Sequence, residues 1–252
     1  MGAGGGDEAA TDRGEQRASA AAADVPTVTG FDKPVPILMY HAISPAPPGA
    51  ALPELFVPQA EFSDQMHWLR AQGYHAVTLD QVFAAWRDDA PIARKPIVVS
   101  FDDGLRSQYV GAVPVLRRMG WPGVLNLKLV SLEQGELTDE MVREMLDAGW
   151  EVDSHTINHV DVTGLSGADL EHEVADSRTE LQDRFDIPVN FFCYPSGRYD
   201  FEATAAVREA GYLGATTTEP GLASPGEPYH LNRIRVIPGD AIAGLEAKLD
   251  AG

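Results

Sequence analysis

Lys95-Pro-Ile-Val-Val-Ser-Phe-Asp-Asp-Gly104 is a continuously apolar, β-branched run that stops on two acids and a glycine. Apolar without alternation, it suits a strand covered on both faces, as in a parallel sheet flanked by helices. Outward from it, short apolar runs alternate with segments of helical period. Upstream, Val35 to His41 reads as a strand and the Pro/Gly/Ala-rich Ser44 to Pro53 as a loop. Phe62, Met66 and Leu69 mark a helix ended by Gly73, Tyr74 to Leu79 a strand, and Asp80 the cap of a short helix through Trp86. Downstream come a helix near Tyr109 to Met119, a strand near Val124 to Val130, a helix Asp139 to Asp147 capped by Thr138, and a strand Trp150 to Asp153. The longest helix spans about Ala168 to Phe185, with Leu170, Val174, Ser177, Leu181 and Phe185 on one stripe and Ser166 and Asp169 spaced as a capping box. Strands Asn190 to Tyr194, Tyr212 to Thr217 and Asn232 to Ile237, with helices Phe201 to Ala210 and Ala241 to Leu249, complete the chain. This alternation argues an α/β fold whose parallel sheet is either closed into a barrel or doubly wound.

The chain has 252 residues, 44% hydrophobic and 23% charged, enough for a large core. Its 38 Asp and Glu against 19 Lys and Arg give a formal charge of −19, which repels phosphate backbones and anionic membrane surfaces. No nucleic-acid partner and no membrane span is expected. Residues 1–30, rich in Gly, Ala and acid, read as a disordered leader without the pattern of a signal peptide, and 31–252 as one domain. Cys193 is the only cysteine and sits in an apolar strand, so metal chemistry must use His, Asp and Glu.

In either architecture chemistry belongs at the C-terminal ends of the parallel strands. His41, Asp102, Asp103, His155, His159 and Tyr194-Pro195-Ser196-Gly197 all fall there. His155 and His159, spaced i, i+4, would share one side of a helical turn and suit a single cation. A carboxylate from Asp102 or Asp103 then yields a two-His, one-carboxylate site with open positions. His67, His75, His172 and His230 lie away from that rim and read as surface or satisfied histidines.

Ser100-Phe101-Asp102-Asp103-Gly104 resembles the T-F-D-D-G motif, and His155-Thr156-Ile157-Asn158-His159 the H-[ST]-x-x-H motif, of polysaccharide deacetylases of the NodB-homology type, carbohydrate esterase family 4. Pro36-Ile-Leu-Met-Tyr-His41 and Phe192-Cys-Tyr-Pro-Ser-Gly197 resemble bacterial members too, so the likeness runs from about Val35 onward. The resemblance implies a distorted (β/α)7-type barrel. It makes Asp103, His155 and His159 the ligands of one divalent metal ion, zinc first with cobalt, nickel or iron as alternatives, and Asp102 the general base. Amide hydrolysis at neutral pH then uses a metal-activated water, oxyanion donors and an acid for the leaving amine. The turn at Tyr194, Pro195 and Ser196 is expected to supply oxyanion and substrate contacts, through a backbone N–H.

Two departures shape the expectations. The family's acid His in an L-x-L-H motif has no counterpart after Gly211, but Leu38-Met-Tyr-His41 matches that pattern on the first strand, neighbour of the last in a closed barrel. His41 is therefore the expected acid, as in a circularly permuted member. Cys193 stands where the family often has the Arg that holds the base, and Arg233 or Arg235 from Asn232-Arg-Ile-Arg-Val236 is expected to substitute. The implied activity is removal of N-acetyl groups from a GlcNAc-containing polymer, chitin-like, peptidoglycan or poly-N-acetylglucosamine, which is hydrolysis of a linear amide C–N bond. O-deacetylation of acetylxylan and non-catalytic sugar binding on the same barrel are the alternatives, and a non-haem iron oxygenase shares the triad but has no use for the second Asp. Substrate choice is expected in loops such as Ser44 to Pro58, and Trp121 and Tyr199 could stack on sugars or simply pack. The family favours an extracytoplasmic or cell-envelope location.

Overall fold

Parallel strands close on themselves around the run that ends at Asp102 in this computed structural model, which describes residues 25–251. In chain order the elements are β1 (Thr27–Val28), β2 (Ile37–Tyr40), α1 (Gln59–Ala71), β3 (His75–Ala76), α2 (Leu79–Asp88), β4 (Ile92–Ala93), β5 (Pro96–Asp102), α3 (Val113–Met119), β6 (Val124–Leu127), α4 (Val130–Glu133), α5 (Asp139–Asp147), β7 (Glu151–Ser154), α6 (Gly167–Glu171), α7 (Ser177–Phe185), β8 (Phe191–Cys193), α8 (Phe201–Glu209), β9 (Gly214–Pro220), β10 (Leu231–Arg235) and α9 (Ala241–Ala251). The ring runs β2-β10-β9-β8-β7-β6-β5 and shuts where β2 pairs in parallel with β5, Ile37 opposite Val98 and Tyr40 opposite Phe101. β3 occupies the first part of the same β5 edge, His75 opposite Pro96. The expected seven-stranded (β/α) barrel is therefore observed, rather than the doubly wound sheet.

All of β5 is buried, as its unbroken apolar run requires, because one face meets the barrel interior and the other the helices. Ile37, Val98, Val124, Phe191 and Leu231, at the N-terminal ends of their strands, pack inside against Leu79, Val82 and Phe83 of α2. Phe83 reaches Phe191 at 4.6 Å between ring centroids, so α2 stoppers that end of the barrel. The outward residues Leu38, Tyr40, Val99, Phe101, Leu125 and Val152 meet the outer helices. There Phe62 of α1 packs edge-on to Tyr40 at 5.1 Å, a side chain whose full burial contributes about 1.5–3 kcal/mol. What remains inside, toward the strands' C-terminal ends, is polar: Ser100, Asp102, Asn126, Asp153, Thr216 and Arg233 are all buried. Among the described residues no helix is long and apolar enough to cross a membrane.

Several boundaries differ from expectation for local reasons. Thr78, not Asp80, caps α2: its hydroxyl accepts from Gln81 N–H at 3.2 Å and the Gln81 side chain accepts from Thr78 N–H at 3.0 Å. Asp80 instead accepts from Asn190 Nδ2 at 2.7 Å, and the strand expected over Tyr74 to Leu79 shrinks to β3. Val130 opens α4 rather than extending β6. Ser166 makes no side-chain cap, and the long helix is three pieces, α6 and α7 separated by a π-helical turn at His172–Asp176. Of the expected leader, residues 1–24 lie outside the described residues. Val25 to Gly30 is part of the fold, because Thr27 and Val28 pair antiparallel with Ala93 and Ile92.

Candidate metal centre

At the end of β5 the chain must turn away while leaving two carboxylates behind. Asp102 points inward, and Asp103 follows in the left-handed region at φ 80°, a conformation strained for any residue with a Cβ. Gly104, at φ 70°, passes so close to β6 that a Cβ would lie 2.4 Å from Leu127 Cδ1. The Asp103 carbonyl accepts from Ser131 Oγ at 2.5 Å, which fixes the turn.

His155 leaves β7 with its N–H on the Leu127 carbonyl at 3.1 Å. Its Nδ1 lies 2.7 Å from the Cys193 carbonyl, which only accepts, so Nδ1 carries the proton and Nε2 presents a lone pair. His159 is brought round by a loop and not by the helical turn its spacing suggested. Thr156 and His159 have φ 67° and 60°, and Thr156 Oγ1 accepts from His159 N–H at 2.8 Å. The two imidazoles meet with ring centroids 4.7 Å apart. Burial, and then the neighbouring His155, lower the His159 pKa, favouring the neutral ring that a cation needs.

Asp103 Oδ1 lies 3.3 Å from His159 Nε2 and 3.8 Å from His155 Nε2, and all three ligand atoms lie within 4.8 Å of one another. Two atoms each about 2.1 Å from a tetrahedral ion would be roughly 3.4 Å apart, so the donors fit one divalent cation. Lys128 Nζ lies 3.5 Å from Asp103 Oδ1. A second set within the same reach, Asp102, His155 and Cys193, does not fit: burial pushes the Cys193 thiol up to about 12, and Asp102 is committed elsewhere.

That commitment is to Arg233, fully buried and bidentate on Asp102, with Nη1 to Oδ1 at 2.7 Å and Nη2 to Oδ2 at 2.8 Å. Arg233 Nε donates to the Thr217 carbonyl at 2.7 Å, and Nη2 lies 3.3 Å from Cys193 Sγ. Asn126 Nδ2 adds a third bond to Asp102 Oδ1 at 2.7 Å. Burial would raise the Asp102 carboxyl, but the charge and hydrogen bonds of Arg233 outweigh it and hold the group well below the usual carboxylate range. Of the two arginines considered from sequence, only Arg233 reaches Asp102. Arg235 is half-buried, and its carbonyl accepts from Lys248.

His41 stands at the end of β2 with Nε2 3.8 Å from Asp102 Oδ2, so the first strand does deliver it to the rim. Burial lowers its pKa, with Arg233 and Arg235 adding to the shift against the pull of Asp102 and Asp103. In the turn after β8, Pro195 has no N–H and Gly197 N–H is spent on the Tyr194 carbonyl at 2.8 Å, which leaves the Ser196 N–H. Ser196 itself is exposed at φ 55°. The Tyr194 ring faces outward among Phe192 and Tyr199, and burial pushes its hydroxyl up to about 12. Trp121 is core, while Tyr199 stacks on His230 at 4.4 Å. Three buried residues were not found from sequence: Asn126, Gln108 and Glu173. Asn126 and Gln108 carried no usable signal. Glu173 did, as an acid three residues from Leu170 and four from Ser177 on the helix's apolar stripe.

A parallel barrel whose mouth holds a His-His-Asp cation site beside a buried Asp–Arg pair defines a hydrolase of the metal-dependent deacetylase kind. The chain belongs to the polysaccharide deacetylase family, whose model matches residues 89–215. It is 35% identical over 219 residues to the Bacillus subtilis protein YxkH, named for that activity, covering 86% of this chain and 76% of the relative. Among solved structures it is similar to the Streptococcus pyogenes deacetylase PplD in complex with acetate, with a TM-score of 0.81 and 28% identity over 87% of this chain and 99% of that one. It is also 24% identical over 217 residues to the poly-beta-1,6-N-acetyl-D-glucosamine N-deacetylase of Escherichia coli K12. That match takes in 69% of this chain but only 32% of the longer relative.

Proposed function

We propose that this protein is a zinc-dependent hydrolase that removes N-acetyl groups from a GlcNAc-containing polysaccharide. The observation that carries the reading is the convergence of Asp103, His155 and His159 within 4.8 Å, directly beside a second carboxylate held by Arg233. In this reading Asp103 Oδ1, His155 Nε2 and His159 Nε2 hold the cation. When bound, a divalent cation acidifies water and polarises the acyl oxygen.

Asp102 takes up the proton of the attacking water. Arg233 and Asn126 keep its carboxylate ionised and aimed, and Oδ2 is the oxygen that faces His41. His41 Nε2 delivers a proton to the departing nitrogen, which cannot leave as an anion. The Ser196 N–H donates to the developing oxyanion. The E. coli relative, named for an N-acetylglucosamine polymer, supports the choice of an N-acetyl substrate.

Acetate release from poly-β-1,6-GlcNAc, chitin oligomers and acetylated peptidoglycan tests this, on protein stripped of metal and then given Zn or Co. Release that returns with metal and vanishes in Asp102→Asn is the expected result. Metal uptake without acetate release from any of these polymers would overturn the reading.

A further inference from the structure

Two π-helical turns interrupt the outer helices, Gln108–Ala112 ahead of α3 and His172–Asp176 between α6 and α7. Each aims one buried polar side chain at the barrel mouth, and such turns gather at functional sites. In the second turn that side chain is Glu173, only 5% exposed. Its Oε2 accepts from Ile157 N–H at 3.0 Å and Asn158 N–H at 2.9 Å, and its Oε1 accepts from Asn158 Nδ2 at 2.7 Å. Ile157 and Asn158 lie in the span between His155 and His159.

The same span is gripped from its other side. The Thr156 and Ile157 carbonyls accept from Leu129 N–H at 3.2 Å and Val130 N–H at 2.9 Å. Its carbonyls therefore face α4 and its N–H groups face Glu173. Removing the carboxylate would leave two N–H groups of a strained loop, with Thr156 and His159 at positive φ, without their acceptor.

We propose that Glu173 is a positioning residue for the metal centre: by holding Ile157 and Asn158 it fixes the separation of His155 Nε2 and His159 Nε2 and so sets the affinity for a divalent cation. The inference rests on Asp103, His155 and His159 being the ligands. Gln108 does a different task, since its Nε2 donates to the carbonyls of His41 at 3.0 Å and Asp102 at 2.5 Å and touches no part of the His155–His159 span.

The test is Co(II) titration of the metal-free full chain by calorimetry, with the ligand-field spectrum recorded alongside, well below the melting temperature of each variant. Glu173→Ala is expected to weaken Co(II) binding by about 10–100-fold, the usual cost of losing an outer-shell partner, and to alter the spectrum. Glu173→Gln, whose amide oxygen still accepts from both N–H groups, restores most of the affinity. Glu173→Asp keeps the charge, withdraws the carboxylate by one methylene and falls between the two, so it carries the test if the alanine variant does not fold. Glu171→Ala, an exposed neighbour on α6, leaves binding unchanged.

Affinity within about twofold of wild type in Glu173→Ala, or in Glu173→Asp where alanine does not fold, overturns the proposal, since outer-shell losses run at least tenfold for truncation. Wild-type protein that takes up no Co(II) overturns the metal reading beneath it as well. Tight wild-type binding with unchanged variants overturns this inference alone.

Discussion

Arg233→Met is the most informative single substitution, because it separates the hold on Asp102 from the proposed metal ligands. Arg233 donates to Asp102 Oδ1 and Oδ2, the Thr217 carbonyl, Ser100 Oγ and Cys193 Sγ, and is 1% exposed. Methionine fills much of the aliphatic stem but supplies no charge and no donor. Asp102 would keep Asn126 as its remaining buried donor, at 2.7 Å. Removing one partner of a buried ion pair costs about 3–5 kcal/mol, and a domain of this size loses roughly 2–4 °C per kcal/mol. The expected fall in melting temperature is therefore about 6–20 °C. Activity should fall by about 10²–10⁴, the usual contribution of a positioned general base. Arg235→Met is the control: half-buried and away from Asp102, it should stay within about 0.5 kcal/mol of wild type. Thermal melts and acetate release on both variants provide the measurement. An Arg233→Met melting temperature within 2 °C of wild type, or a larger activity loss in Arg235→Met, would refute the assignment.

Further outcomes follow from single contacts. His41→Ala should lower kcat by about 10²–10⁴ while Co(II) affinity, read by calorimetry, changes little, since its Nε2 faces Asp102 at 3.8 Å and not the cation ligands. Gly104→Ala, with φ 70° and a Cβ 2.4 Å from Leu127 Cδ1, should destabilise the fold by about 1–3 kcal/mol in denaturant melts. Glu151, in the barrel interior, accepts from the first N–H groups of α2, Leu79 and Asp80. Burial, with the charge of Asp80 adding to it, raises its pKa to about 7 against the opposing hydrogen bonds from Asp153 and from the Asp80 and Leu79 N–H groups. A folded-state pKa above the unfolded value means that the native chain binds more protons in between. Stability should thus decline as pH rises from about 4.5 to 7, and Glu151→Gln should flatten that slope in melts taken across the window.

Most of the order of elements from β2 through α9 was legible because the strands are short apolar runs and the helices carry stripes; the short β4 and α4 were not read. The candidate metal site was legible for a different reason: Asp102-Asp103-Gly104 and His155-x-x-x-His159 are contiguous, so no long-range contact had to be known. Choosing between Arg233 and Arg235 was not possible from alternation, which places both on one face. It is settled by the depth of each residue along β10: Arg233 is buried inside the barrel, while Arg235 at the strand's end is only half-buried. The helical reading of His155 and His159 failed because two residues of the loop take positive φ, which spacing does not encode. Gln108 carried no periodic signal, whereas Glu173 lay beside the apolar stripe and was passed over because a lone acid on a helix reads as solvent-facing.

The ring closes through β2, paired on one side to β5 and on the other to β10, where Ile234 lies opposite Leu38. During synthesis β2 emerges before every other strand of the ring, yet one of its two neighbours, β10, emerges after all of them. Pairings this distant in sequence are slow to form, because loop closure precedes any gain from contact. His41, made long before Arg233, is thus seated between its neighbours only once β10 has been made. The pairing that closes the ring is the same one that brings Arg233 and His41 to a common rim around Asp102.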